Sequence, residues 1–86
     1  MTPRSEMRAS QYYVYGQVQR PGMYPLDRGM TVAQAIAKGG GLTLRGTDRG
    51  VRVHRRYGSN TVQVLEPKLD DPIRPGDLIF VRESVF

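Results

Sequence analysis

Eighty-six residues without cysteine make one small domain with a modest core, held by neither a disulfide framework nor a thiolate metal site. The net charge of +5, with eleven of the thirteen basic residues arginine, favours acidic partners such as phosphate backbones, anionic lipid heads or acidic polysaccharide, or else describes only a solvated arginine-rich surface. No apolar run approaches the roughly 20 residues of a membrane span, and the opening MTPRSEMRASQ lacks the apolar stretch of a secretion signal.

Residues 1–11 show no hydrophobic periodicity and read as a flexible linker, leaving 12–86 as the folded domain. Tyr12–Val18, YYVYGQV, is β-branched and aromatic and predicts a strand. Tyr13 and Tyr15 share one face; Val14 and Val18 share the other, with Gly16 on the valine side marking a bulge or a close approach. Gln19-Arg20-Pro21-Gly22 has a type II turn signature, Pro21 presetting position i+1 and Gly22 supplying positive φ at i+2. Met23–Leu26 returns as a short strand, and Pro25 within it removes a ladder donor, which places it at a sheet edge.

Thr31–Gly41, TVAQAIAKGGG, is the one convincing helix pattern. Thr31 can cap by accepting from the backbone N–H of Ala33 or Gln34. Val32, Ala35 and Ile36 fall at i, i+3 and i+4 and form an apolar stripe, while Gln34 and Lys38 point away from it. Lys38 meets the negative end of the helix dipole, and Gly39-Gly40-Gly41 ends the helix because glycine adopts the left-handed cap without steric cost. So short a helix needs a sheet to lie against.

Leu42–Arg49 reads as a loop with Leu44, and with it Leu42, tucked beneath. Val51–Arg56 alternates, Val51 and Val53 inward and Arg52, His54 and Arg56 outward, with Arg55 opposing that row. Tyr57-Gly58-Ser59-Asn60 is a hairpin turn, and Thr61–Leu65 pairs back with Val62 and Val64 inward. Pro75-Gly76-Asp77 is a second Pro-Gly turn. Leu78–Arg82, apolar on both faces, belongs in the middle of the sheet with Phe80 in the core. The sum is α+β: a β-grasp (ubiquitin-like) mixed sheet of about five short strands packed on one main helix.

VYGQVQRPGMYPLDRGMTVAQAIAKGGGLTLRGT, VRVHRR and IRPGDLIFVRE, in this order and spacing, closely resemble the SLBB (soluble ligand-binding β-grasp) domain of outer-membrane polysaccharide export proteins, over roughly Tyr12 to Val85. The family's G-x-V-x-x-P-G turn falls on Gly16, Val18, Pro21 and Gly22. Its helix end falls on Ala35, Gly39, Gly40, Leu42 and Thr43, with Gly41 as one glycine beyond the usual pair. Its P-G-D turn falls on Pro75, Gly76 and Asp77. The resemblance implies a periplasmic domain of an outer-membrane-associated export protein. It implies sister subunits of an export ring, the exported polysaccharide and an inner-membrane polysaccharide assembly protein as partners. Proteins of that kind also carry a separate export domain, a lipid-anchored start and a membrane-spanning end, so the chain is expected to be a piece of a translocon.

No catalytic constellation is evident, which points away from an enzyme and from any cofactor. His54, the single histidine, lies mid-strand between arginines without the orienting partner that a catalytic base needs, and one histidine without cysteine makes no metal site. Asp70-Asp71 sits in a proline-bounded loop and reads as solvated. Gly39-Gly40-Gly41 follows a helix instead of preceding one and cannot cradle phosphate as a P-loop does. What remains is a surface: Arg52, His54 and Arg56, extended by Arg45 and Arg49, with Tyr13, Tyr15 and Tyr57 as apolar platforms for sugars or bases. The same residues read equally as a wet sheet face with packed tyrosines, or as a row meeting an acidic patch on a neighbouring copy. Single-stranded nucleic acid is the alternative partner, as in DNA-uptake proteins with SLBB-like folds; eight acidic residues and the lack of a base-reading motif stand against it.

Overall fold

The computed structural model describes residues 10–84, so that residues 1–9 of the expected linker lie outside it. The elements are β1 (Gln11–Gly16), β2 (Gly22–Pro25), α1 (Val32–Lys38), β3 (Arg52–Tyr57), β4 (Thr61–Leu65) and β5 (Leu78–Val81). The strands form one five-stranded sheet in the order β2-β1-β5-β3-β4. β1 and β5 run parallel and every other neighbour is antiparallel. The architecture is therefore a mixed α+β fold with, among the described residues, a single short helix. As its apolar composition predicts, β5 lies at the centre, and Pro25 sits on the β2 edge, where its missing N–H disrupts no ladder.

One sheet face and the helix share the core. Tyr12, Val14, Val53, Ile79 and Val81 meet Val32, Ala35 and Ile36 of α1, closed around by Val18, Met30, Val51 and Ile73. Tyr12 is the largest side chain in this cluster and has no exposed surface. Its ring stacks on Tyr24 at a centroid separation of 6.0 Å, and its hydroxyl donates to the Ala35 carbonyl at 2.9 Å. One residue thus joins the sheet to the helix through both area and direction.

Both helix ends are capped. Thr31 Oγ1 accepts from the Gln34 N–H and Gln34 Oε1 accepts from the Thr31 N–H, a reciprocal capping box. The N–H groups of Val32 and Ala33 donate to the carbonyls of Asp71 and Leu69, which straps the loop before β5 over the first turn. At the far end the left-handed residue is Gly40, φ +93°, while Gly39 keeps φ −82°. Gly40 N–H donates to Ala37 O and Gly41 N–H to Ile36 O, the paired bonds of a Schellman cap. Lys38 reaches sideways to Asp27 Oδ2 (3.1 Å) and to the Pro25 carbonyl (3.3 Å).

Four local expectations are corrected. Val62 and Val64 are exposed, not inward. Tyr57 pairs with Thr61 across a three-residue loop. A two-residue loop would have paired Val53 with Val64; the one-residue shift sends every β4 side chain to the opposite face. Leu44 is fully solvated, whereas Leu42 does pack on the core and bridges to Val18. Gly22 has φ +149°, far from the roughly +80° of a type II turn, and lies inside β2 opposite Val14. Phe80 is 41% exposed on the face away from the helix; Ile79 and Val81 carry the core contribution of β5.

Two predictions follow from this packing. Gly16 has φ +93°, and a Cβ there would lie 2.1 Å from the Val81 carbonyl oxygen. Gly16→Ala is expected to cost at least about 3 kcal/mol against ~1 kcal/mol for an average substitution, read as the shift in a urea unfolding midpoint. Burial pushes the Tyr12 phenol up from 10.0 to about 12, helped by Tyr24 and Asp27. The unfolded chain therefore loses this proton first. The stabilisation is complete below pH 10 and declines as pH rises through about 12. Unfolding curves at rising pH should show this decline in the wild type and a shallower one in Tyr12→Phe.

Candidate functional site

The period of two along each strand leaves the second face of the sheet without a helix. Strand register aligns Met23, Tyr13, Leu78, His54 and Val64 in one row across all five strands. Tyr15, Phe80 and Arg52 form the next row, and Arg56 stands opposite Val62. Tyr13, Tyr15, His54, Arg56, Val62, Gly76 and Leu78 line a shallow groove of about 430 Å³. Its floor is apolar and its cations come from β3.

The basic side chains on β3 and near it differ in how far they are already engaged. Arg55, on the helix side of β3, makes a two-pronged pair with Asp77, Nε to Oδ1 at 3.0 Å and Nη2 to Oδ2 at 2.8 Å. Asp77 is 1% exposed, and the hydrogen bond to it raises the Arg55 pKa further above its ordinary value, against the opposing cost of burial. Arg52 Nε lies 3.1 Å from Glu66 Oε2, off the line of a hydrogen bond. Arg45 pairs with Glu83 at 2.8 Å. Arg56 and His54 form no ion pair among the described residues. A depression on the helix side, lined among others by Arg55, Val32 and Pro72, offers a cation already committed to Asp77.

Of the candidate residues, Tyr13, Tyr15, His54 and Arg56 converge on the open-face groove, with Arg52 one row away beside Phe80. Arg45 and Arg49 sit in the loop over the end of β5 and line no part of it. Tyr57 shares the face of Val53 and Arg55, opposite to Tyr13 and Tyr15, by the alternation of β3. Asp77, which the sequence alone marks only as part of a turn, is the buried partner of Arg55. Its carboxylate also accepts from the Arg74 N–H at 2.8 Å, while Gly76 at φ +83° closes the Pro75-Gly76 turn. The available signal was Arg55 itself: an arginine at an inward position of a half-buried strand requires a buried acid.

Among the described residues there is no group of three or more metal-ligating side chains, and no helix long and apolar enough to cross a membrane. Fold and surface together define a small α+β domain whose sheet carries its helix on one face and an open groove on the other. The sequence model of the SLBB domain family matches residues 11–65, and the chain belongs to that family. The match stops ahead of the Pro75-Gly76-Asp77 turn and β5. Over 71 residues the chain is 41% identical to the exopolysaccharide production protein ExoF of Rhizobium meliloti (strain 1021). That alignment covers 74% of this chain and 16% of the relative, so the chain spans a small part of that protein's length.

The two arginine pairs of β3 should respond differently to loss of the acid. Asp77→Ala strands Arg55 at a site of 15% side-chain exposure and is expected to cost about 3–5 kcal/mol. Glu66→Ala removes a partner that is 65% exposed and should cost less than about 1 kcal/mol. Denaturant midpoints of the two variants, compared with wild type, check both values.

Proposed function

We propose that the chain is a non-enzymatic binding and assembly module, of β-grasp fold, in an exopolysaccharide export protein. It acts as a periplasmic domain of an outer-membrane-associated protein, contributing contacts to sister subunits and to the exported acidic polysaccharide, with an inner-membrane polysaccharide assembly protein as a further partner. Family membership and the likeness to a protein named for exopolysaccharide production support the setting. The observation that carries the binding role is the placement of Arg56 and His54, without an ion pair among the described residues, beside Tyr13 and Tyr15 in one groove. A pyranose ring rests its C–H face on an aromatic ring, and a guanidinium grips a carboxylate with two parallel N–H donors. The groove offers both chemistries within one sugar's reach.

A chemical-shift titration with acidic and neutral oligosaccharides at two salt concentrations tests this reading. Acidic sugars should move the Tyr13, Tyr15, His54 and Arg56 resonances, neutral ones should bind more weakly, and Arg56→Ala should lose about tenfold in affinity, ~1.4 kcal/mol. Silence at millimolar sugar overturns the cargo contact. Tight, salt-sensitive binding of single-stranded DNA in place of sugar would favour the nucleic-acid alternative.

A further inference from the structure

The two edges of the sheet are not alike. At the β2 edge Pro25 has no N–H, and its carbonyl already accepts from Lys38 Nζ at 3.3 Å. At the β4 edge Thr61–Leu65, TVQVL, contains no proline, no glycine and no charge, and no described segment other than β3 hydrogen-bonds to it. Val62 and Val64 are 53% and 52% exposed. A regular, uncharged, β-branched edge is what natural sheets usually avoid, because its outward N–H and C=O groups form a template for another strand. Here it lies within Tyr57–Leu65, nine consecutive uncharged residues in a chain of net charge +5. It is the part of the sheet edge where two copies can approach with least repulsion.

We propose that β4 pairs antiparallel with β4 of a second copy of this chain about a two-fold axis at Gln63, making one continuous sheet twice as wide. The strand is close to palindromic about that residue. Gln63 would face its own counterpart, Val62 would face Val64 of the other copy and vice versa, and Thr61 would face Leu65. Outward backbone groups of one parity meet in this register, so the ladder closes without a bulge. The exposed valines stack against each other across the new seam. A two-fold axis normal to the sheet keeps both helices on one side and both grooves on the other. Val62 lines the groove and also borders the seam, so pairing places the two grooves side by side on a single surface. The contact is isologous and closes at two copies, unlike a head-to-tail ring. It goes beyond the binding role above and needs neither sugar nor an acidic patch.

The test uses the cysteine-free chain. Sedimentation over rising concentration should show a monomer–dimer equilibrium that holds or strengthens as salt screens the like charge. An arginine-to-acid subunit contact would weaken under the same change, so the two readings fail separately. Val62→Lys, at a position already exposed, should raise the dissociation constant about tenfold or more. Under mild oxidation Gln63→Cys should form a covalent dimer, since the two sulfurs lie directly opposite one another. Thr61→Cys should not, because two copies of residue 61 would stand about 14 Å apart along the strands. A wild-type chain that stays monomeric at millimolar concentration overturns the proposal. So does equal cross-linking at both positions, or open-ended association in place of a closed dimer.

Discussion

The Asp77 carboxylate is the constraint from which the rest of this structure is hung. It is a buried charge, and a buried charge persists only where paired and hydrogen-bonded. Its two oxygens accept from the Arg55 guanidinium and the Arg74 N–H, while its own carbonyl accepts from the Tyr13 N–H. One residue thereby fixes the start of β5 between β1 and β3, and holds the Pro75-Gly76 turn against both. The parallel β1–β5 pairing depends on that anchoring, since no tight turn can join parallel neighbours. With β5 fixed, Ile79 and Val81 face the helix and Leu78 and Phe80 face the other way.

That division of faces links fold to function. The helix is short and capped at both ends by its own loops, so it covers one side of the sheet only. Tyr12 and Val14 go beneath it, and the intervening Tyr13 and Tyr15 are left on the open side with His54 and Arg56. The same alternation that builds the core therefore assembles the candidate surface, and no loop insertion is needed to create it. A one-residue slip of β1 would exchange the two sets, placing two valine-face positions in solvent and two tyrosine hydroxyls in the core.

Much of this was legible in the sequence. The helix bears its cap, stripe and glycine stop in consecutive residues, and Pro25 and the apolar run of β5 announce edge and centre. What escaped depends on counting across turns. TVQVL alternates, yet alternation alone does not say which half faces inward; the three-residue loop from Tyr57 to Thr61 decides it. Phe80 faces solvent for a related reason: a strand apolar on both sides need not have both sides covered. Arg45 and Tyr57 look equivalent to Arg56 and Tyr13 by composition, and only the register and the Glu83 pair separate them. Asp77 reads as turn chemistry until Arg55 is seen to point at it.

Net charge alone is a poor guide to where this domain meets an anion. Arg45, Arg52 and Arg55 each stand beside an acid of the same chain. Arg55 would have to give up its buried partner before gripping a ligand, at a loss comparable to the gain, whereas the exposed acids beside Arg45 and Arg52 hold their cations weakly. Arg56 has no such partner among the described residues, and it sits where aromatic faces and an open groove coincide. In the proposed role, the +5 balance would raise the encounter rate with any anion, while Arg56 and His54, placed beside Tyr13 and Tyr15 in one groove, would select the anion that stays.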